Sequence, residues 1–286
     1  MVIEKAFAKI NLTLSVGEKR SDGYHNIDSI MHQISLHDEV ILESAETISL
    51  SVTEGTAPFG EENLMWRAAE LFFKETGISG GVHMELKKRI PSEAGLGGGS
   101  ADAAAVLRGL NRLTGRGLTL ASLAQMGALL GADVPFCVAG GCCRCRGIGE
   151  KMEKLQGRAG LDLLVVRPPV SIATGKAYAL FDKFPKSSKN TAEDCILALK
   201  EDNREKLAKS LFNDFERVLF RAEPLLKETA LYLESFERPF LMTGSGSAFF
   251  LLPENKDEGE KIKNTIKSEK PEWYAEEAET EEISRL

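Results

Sequence analysis

Four glycines in five positions, at the junction of an extended run and a helical one, constrain this chain more than any other feature. The stretch reads Pro91-Ser92-Glu93-Ala94-Gly95-Leu96-Gly97-Gly98-Gly99-Ser100-Ala101-Asp102-Ala103-Ala104-Ala105. Upstream, residues 81–87 alternate in side-chain character as a strand does, and downstream Ala103, Val106, Leu107, Leu110 and Leu113 recur at helical spacing. The glycines therefore fall at a helix N-terminus. Backbone N–H groups are unpaired there, no side chain blocks their approach to a ligand, and the helix dipole places about half a positive charge. Such a site suits a phosphate. A connector capped by Ser100 is the favoured reading for one or two glycines and the less favoured one for four.

Two common phosphate loops fail on spacing. A Walker loop needs a lysine directly after its last glycine, and none follows here; the dinucleotide fingerprint needs a third glycine where Ser100 stands, and then a parallel strand where another helix is expected.

The chain has 286 residues, enough for two lobes. It is 43% hydrophobic and 28% charged, with no apolar run approaching the ~18 residues of a membrane span. The start, Met1 to Lys9, is too charged for a signal peptide, so a soluble cytoplasmic protein with no membrane partner is expected. Cys137, Cys142, Cys143, Cys145 and Cys195 form an odd set, expected to be free thiols. Cys142 and Cys145 have zinc spacing but no second pair, so small apolar side chains filling a strand is the favoured reading. Of the net charge of −7, residues 254–286 carry −5, from eleven acids and six bases. The rest is nearly neutral, which argues against nucleic acid as a partner. The acidic run 276–282 reads as a solvated or frayed tail.

Residues 2–16 predict one or two strands, with Lys9 either an edge residue facing water or a working charge. After an Asp22-Gly23 turn, Tyr24-His25 either anchors a loop or grips a planar ring. Residues 38–44 and 47–53 predict a strand pair, and residues 63–76 a helix capped by Asn63. A helix over 120–130 ends before Asp133-Val134-Pro135, so Asp133 falls between a helix end and an expected strand, as an ordinary turn acid or a functional one. Residues 156–160 read as a linker, 161–166 as a buried strand, and 182–190 as a surface loop. A short helix carries Tyr178, and helices follow near 191–200, 203–212 and 224–236. Thr243-Gly244-Ser245-Gly246 sits between two apolar runs as a hairpin turn would.

The glycine stretch, Pro-x-x-x-Gly-Leu-Gly-Gly-Gly-Ser with Ala-Asp-Ala-Ala following, resembles the ATP loop of the kinases named for galactose, homoserine, mevalonate and phosphomevalonate. Three further segments, Ala8-Lys9-Ile10-Asn11-Leu12, Arg20-Ser21-Asp22-Gly23-Tyr24-His25 and Gly131-Ala132-Asp133-Val134-Pro135-Phe136, resemble one branch of that superfamily, the 4-diphosphocytidyl-2-C-methyl-D-erythritol kinases. The four motifs occur in the family's order across nearly the whole chain.

The resemblance implies an enzyme, an ATP-dependent kinase that phosphorylates the 2-hydroxyl of a cytidylyl methylerythritol in isoprenoid precursor synthesis, with Mg2+. It implies an α/β (α+β) fold of two lobes: residues 1–156 like ribosomal protein S5 domain 2, with a left-handed βαβ crossover, and residues 157–286 ferredoxin-like, the cleft between them being active. Lys9 and Asp133 are then catalytic, with Asp133 the general base. Asn63, Leu64, Pro91, Gly95, Leu96, Gly97, Gly98, Gly99, Ser100 and Ala101 bind the nucleotide. Asn11, Tyr24, His25, Tyr178, Gly244, Ser245 and Gly246 line the substrate, with rings on cytosine. Ala101 replaces a serine frequent after the family's glycines, which leaves Ser100 as the one hydroxyl there for magnesium. A monomer or weak homodimer is expected. Another kinase of the superfamily, for homoserine or mevalonate, would share the glycine loop and lack the Tyr24-His25 site. A nucleotide-binding regulator without catalysis would have no use for Lys9 and Asp133.

Overall fold

The computed structural model describes residues 1–184 and 191–282. Two compact units divide it, the first comprising Met1–Lys9, Leu36–Ser92 and Gly97–Gly140, the second Ile10–Ser35, Glu93–Leu96 and the chain from Gly141 on. Two long strands, β1 (Val2–Lys19) and β2 (His25–Ala45), contribute residues to both units.

In the first unit, β3 (Ser49–Glu54), α1 (Leu64–Thr76) and β4 (Gly81–Lys87) form a βαβ step with β3 and β4 parallel. Residues 38–44 and 49–53 are strands, but they are not paired with each other. β4 lies between them, antiparallel to β2 from Glu39–Lys87 to Ala45–Gly81. The reason is visible at Gly81, where a Cβ would meet the Thr47 carbonyl carbon at 2.2 Å. The chain leaving β2 crosses directly over that glycine, so β3 comes down on the far side of β4. A side chain at position 81 would block the crossing.

Next come α2 (Gly98–Leu113), α3 (Leu120–Ala128) and α4 (Val134–Ala139). The segment after Asp133 is thus a helix and not a strand. Pro135 lies in the first turn of α4, where a missing N–H costs nothing. α1 and α2 pack together and α2 packs on α4. Met65, Phe72, Met84, Leu86, Leu107 and Leu110 are fully buried, and each such side chain contributes about 1.5–3 kcal/mol.

In the second unit, β5 (Cys142–Gly147) pairs with β2 from Ile27–Gly147 to His32–Cys142, and with β6 (Lys151–Lys154). Cys142 and Cys145 are three apart on one strand and so point to opposite faces. Among the described residues no three metal-ligating side chains come together, and all five cysteines are buried free thiols.

A second sheet starts at β7 (Asp162–Arg167). Five helices follow, α5 (Thr174–Lys183), α6 (Ala192–Lys200), α7 (Arg204–Ser210), α8 (Glu216–Ala222) and α9 (Pro224–Glu234), with the two-residue β8 (Phe212–Asn213) parallel to β1 at Thr13 and Leu14. The predicted loop over 182–190 is corrected at its start, since Asp182 and Lys183 close α5; residues 185–190 lie outside the described residues. α8 has no counterpart among the predicted helices.

The chain ends with β9 (Phe240–Met242), β10 (Phe249–Leu251), α10 (Lys256–Glu269) and β11 (Tyr274–Glu279). The antiparallel order β11-β7-β10-β9 is that of a ferredoxin-like βαββαβ unit. The acidic tail is corrected too. Residues 274–279 pair along the whole of β7, and Glu276, Glu277 and Glu279 face Lys267, Lys263 and Lys256 of α10. Complementary charge on α10 turns an acid-rich run into an edge strand.

Candidate functional site

In the first unit, the N-terminus of α2 is the organising feature. Its N-cap is Gly97, left-handed at φ 72°, and no side chain caps it. Leaving those amides to a ligand is what the four-glycine run predicts. The glycines are also needed for close approach. A Cβ on Gly97 would meet the Lys9 stem at 3.0 Å, and one on Gly98 would meet Lys88 Nζ at 2.8 Å. Gly99 faces Leu64 Cδ1 at 3.7 Å. Asn63 caps α1 by accepting from Met65 N and donates to Pro58 O, which fixes Leu64 beside this turn.

Lys9 comes from β1, where the alternating strand turns it into the unit, and it is 3% exposed. Its ammonium stands 3.6 Å from Asp133 Oδ2, on the residue that precedes α4. The two residues taken as catalytic are thus brought together, at a distance too long for a strong hydrogen bond. Asp133 keeps 32% of its side chain accessible, so a substrate hydroxyl can reach it. Ser100 is half-buried and Ala101 is buried in the helix packing. Pro91 is half-buried in the approach to the glycines, and Leu96 is a buried core residue of the second unit.

A second lysine in this unit escaped sequence reasoning. Lys88, beneath Gly98, forms ion pairs with Asp38 and, at 3.0 Å, with Asp102. Asp38 also accepts from the amides of Arg89 and Ile90. All three side chains are buried, and Asp102 Oδ1 has no hydrogen-bond partner. Burial, the largest influence, pushes the Asp102 carboxyl up to about 8, while the two carboxylates hold Lys88 above its usual range. The only sequence signal was a lysine at the end of a strand that then turns into Ile90-Pro91.

The second unit gathers the remaining residues around two centres. At the first, Gly95 presses on the second glycine motif, since a Cβ there would meet Thr243 O at 2.2 Å and Gly246 N at 3.1 Å. Asn11, also buried, donates its amide N–H to Thr243 Oγ1 and its side-chain NH2 to Ser29 Oγ. Asn213 donates to the carbonyls of Met242 and Gly244, and Ser245 Oγ lies 3.1 Å from Thr174 Oγ1. These bonds immobilise the turn 243–246 as a backbone surface.

The second centre is aromatic. His25, at the start of β2, stacks on Tyr178 of α5 with centroids 5.2 Å apart and planes 24° apart, and Phe181 meets the same ring edge-on. Tyr178 in turn stands edge-on to Phe215 at 4.9 Å. Tyr24 is 59% exposed at the turn joining β1 to β2. His25 Nδ1 donates to Gly17 O at 2.9 Å, and Nε2 lies 2.8 Å from Asp182 Oδ1. Asp182 pairs through its other oxygen with Lys19 at 2.6 Å, and Lys19 holds its carboxyl below the usual carboxylate range. Asp182 fell inside the predicted surface loop, and nothing in its local sequence marked it.

Comparison with known proteins accords with this geometry. Residues 63–141 match the GHMP kinases N terminal domain. The chain is 39% identical over 269 residues to the 4-diphosphocytidyl-2-C-methyl-D-erythritol kinase of Caldicellulosiruptor saccharolyticus, covering 93% of each chain. It is 41% identical over 248 residues to the enzyme of that name from Pelotomaculum thermopropionicum, covering 86% of each. Among solved structures it is similar to a 4-(cytidine 5'-diphospho)-2C-methyl-D-erythritol kinase, with a TM-score of 0.81 and 33% identity over 98% of this chain and 100% of that one. A homoserine kinase from Cytophaga hutchinsonii shares the fold, with a TM-score of 0.71 at 19% identity over 96% and 95% of the two chains. Identity at this level, sustained over nearly the full length of both chains, makes this chain a member of the 4-diphosphocytidyl-2-C-methyl-D-erythritol kinase family within the GHMP kinases.

Proposed function

We propose that the chain transfers the γ-phosphoryl group of ATP to the 2-hydroxyl of 4-diphosphocytidyl-2-C-methyl-D-erythritol, in the non-mevalonate route to isoprenoid precursors. The observation that carries this reading is the placement of Lys9. Its stem packs on Gly97 at the uncapped start of α2, while its ammonium reaches towards Asp133. One side chain thereby couples the phosphate-binding turn to the acid that takes the proton.

Phosphoryl transfer demands positioning and charge neutralisation more than covalent chemistry. The amides of the first turn of α2 cradle the triphosphate, and Asn63 and Leu64 lie on the adenine side. Asp133 accepts the hydroxyl proton as the oxygen attacks phosphorus and the bond to the ADP oxygen breaks, a role worth ~10²- to 10⁴-fold. Lys9 holds Asp133 in register and stabilises charge growing on the transferred oxygens. Tyr24, His25 and Tyr178 supply the rings and polar edge for cytosine, and Asn11 with the 243–246 turn supports the methylerythritol part. Mg2+ neutralises phosphate charge. Ser100, the one hydroxyl of the glycine turn, would hold the ion together with phosphate oxygens and water, or phosphates and water would hold it alone. The protein acts in the cytoplasm on a small molecule, as a monomer or weak dimer.

The test is magnesium-dependent ADP release with the cytidylyl substrate, beside homoserine, mevalonate and the cytidine-free methylerythritol phosphate. Turnover with the cytidylyl substrate alone is expected. Turnover with another acceptor keeps the kinase and overturns the substrate, whereas no turnover with any acceptor overturns the enzyme.

A further inference from the structure

We propose that Glu216 is a positioning residue which, with Asn213, clamps Met242 and thereby fixes the 243–246 turn for the methylerythritol part of the substrate. This rests on the cytidylyl-substrate reading above and deepens it, because it assigns the placing of that turn to a carboxyl at the start of α8, outside the substrate contacts.

The need for a clamp comes from the sheet. β9 is the last strand of the order β11-β7-β10-β9, and Thr243, just past its end, turns its N–H inward to Ala248 O. The N–H and C=O of Met242, one residue back, therefore turn outward, where an edge strand has no neighbour to meet them. Met242 is fully buried, so bulk water does not meet them either, and a buried backbone group left unpaired is costly. Glu216 Oε1 accepts from Met242 N at 2.8 Å, and Asn213 Nδ2 donates to Met242 O at 2.7 Å and to Gly244 O at 2.8 Å. Two side chains thus take the place of the missing strand.

The clamp is itself anchored, and it acts on the turn. Asp214 donates its N–H to Leu14 O and accepts from Val16 N at Oδ2, which ties the segment before α8 to β1. Asn213 Oδ1 accepts from Phe215 N, which fixes the way its amide group faces. Met242 Sδ lies 2.9 Å from where a Cβ on Gly246 would stand, so a shift of Met242 reaches the far end of the turn. The bond to Glu216 needs reach rather than charge. No cation pairs with Glu216 among the described residues, and burial pushes its carboxyl up to about 7, against the opposing pull of the Met242 N–H. A glutamine amide offers an acceptor oxygen at the same reach, whereas an aspartate falls one methylene short.

The experiment compares KM for the cytidylyl substrate and for ATP in the wild type, Glu216→Asp and Glu216→Gln. Glu216→Asp is expected to raise KM for the cytidylyl substrate about tenfold, Glu216→Gln to keep it within about twofold of wild type, and neither to move KM for ATP. A merely structural carboxyl would move both constants or neither. Independently of the aspartate variant, the Met242 N–H should be protected from hydrogen exchange in the unliganded wild type and in Glu216→Gln, although it lies on a sheet edge. An unmoved cytidylyl KM in Glu216→Asp, an equal rise in Glu216→Gln, equal rises in both constants, or an unprotected Met242 amide in the wild type overturns the role. Any of these beside wild-type turnover of the cytidylyl substrate leaves the proposed reaction standing, whereas no wild-type turnover overturns the reaction itself, so the two readings fail separately.

Discussion

The first unit holds two lysines opposite aspartates, and they are built in opposite ways. Lys9 stands 3.6 Å from Asp133, whose side chain is 32% exposed. Lys88 is clamped between two carboxylates that are 0% and 4% exposed, one of which is also fixed by two backbone amides. A slack pair at an accessible acid can exchange partners, which a reacting group must do. A saturated cluster cannot, and it serves instead to hold the start of α2 against the end of β4. Each lysine lies against one glycine of the same turn, Lys9 against Gly97 and Lys88 against Gly98, so the proposed phosphate cradle would have a working charge on one side and a structural charge on the other.

The comparison breaks first at Asp133. Asp133→Asn should cut turnover by ~10²- to 10⁴-fold while leaving ATP affinity and the melting temperature close to wild type. Normal turnover would remove Asp133 as base and leave the Lys9 pair as merely structural. Lys88→Met comes next. It leaves the buried Asp38 carboxylate without its cation, and breaking a buried pair in this way costs about 3–5 kcal/mol of folding stability by chemical denaturation. A loss below about 1 kcal/mol would mean that the cluster is not what anchors the turn. Lys9→Met should do the reverse of Lys88→Met. It keeps an unbranched stem against Gly97, lowers kcat by ~10²- to 10³-fold for loss of one preorganised charge, and changes stability by less than about 1 kcal/mol, since its partner is partly exposed.

The same contrast explains what the sequence could disclose. The glycine turn was legible because its requirements are local: a backbone with φ above zero, no Cβ, and a helix directly after. Lys9 and Asp133 were legible only as members of recognisable motifs, since a lysine in a strand and an aspartate before a proline have commoner uses. Beyond the position of Lys88 at a strand end, the cluster of Lys88, Asp38 and Asp102 carried no signal, because 50 residues separate Lys88 from Asp38 and the β2–β4 pairing brings those two together. That pairing was itself missed. Adjacent strands in sequence are expected to pair, and the crossing over Gly81 that inserts β4 depends on one absent side chain. The acidic end was misread for a similar reason, as its partners are lysines on α10 and the strand β7, over 100 residues earlier. His25 was singled out, but the acid 2.8 Å from its Nε2 sits on α5, 157 residues on.

The smallest expected effect probes the charge state of the Lys88 cluster. One ammonium beside two ionised carboxylates would leave a net negative charge in a buried site, and Asp102 Oδ1 has no donor to meet it. Burial resolves this by raising the Asp102 carboxyl from 3.8 to about 8, so that at neutral pH the cluster holds Lys88 cationic, Asp38 ionised and Asp102 protonated. The folded state then keeps a proton that the unfolded chain releases near pH 4, and folding stability falls as pH rises from about 4 to about 8. Asparagine mimics the protonated acid. Asp102→Asn should therefore alter stability at pH 7 by no more than about 1.5 kcal/mol and remove this part of the pH dependence. If denaturation midpoints of the variant declined from pH 5 to 8 as steeply as those of the wild type, Asp102 would be ionised in the fold. Lys88 would then stand between two full charges, and the structural lysine would hold a surplus negative charge beneath the very turn that receives phosphate.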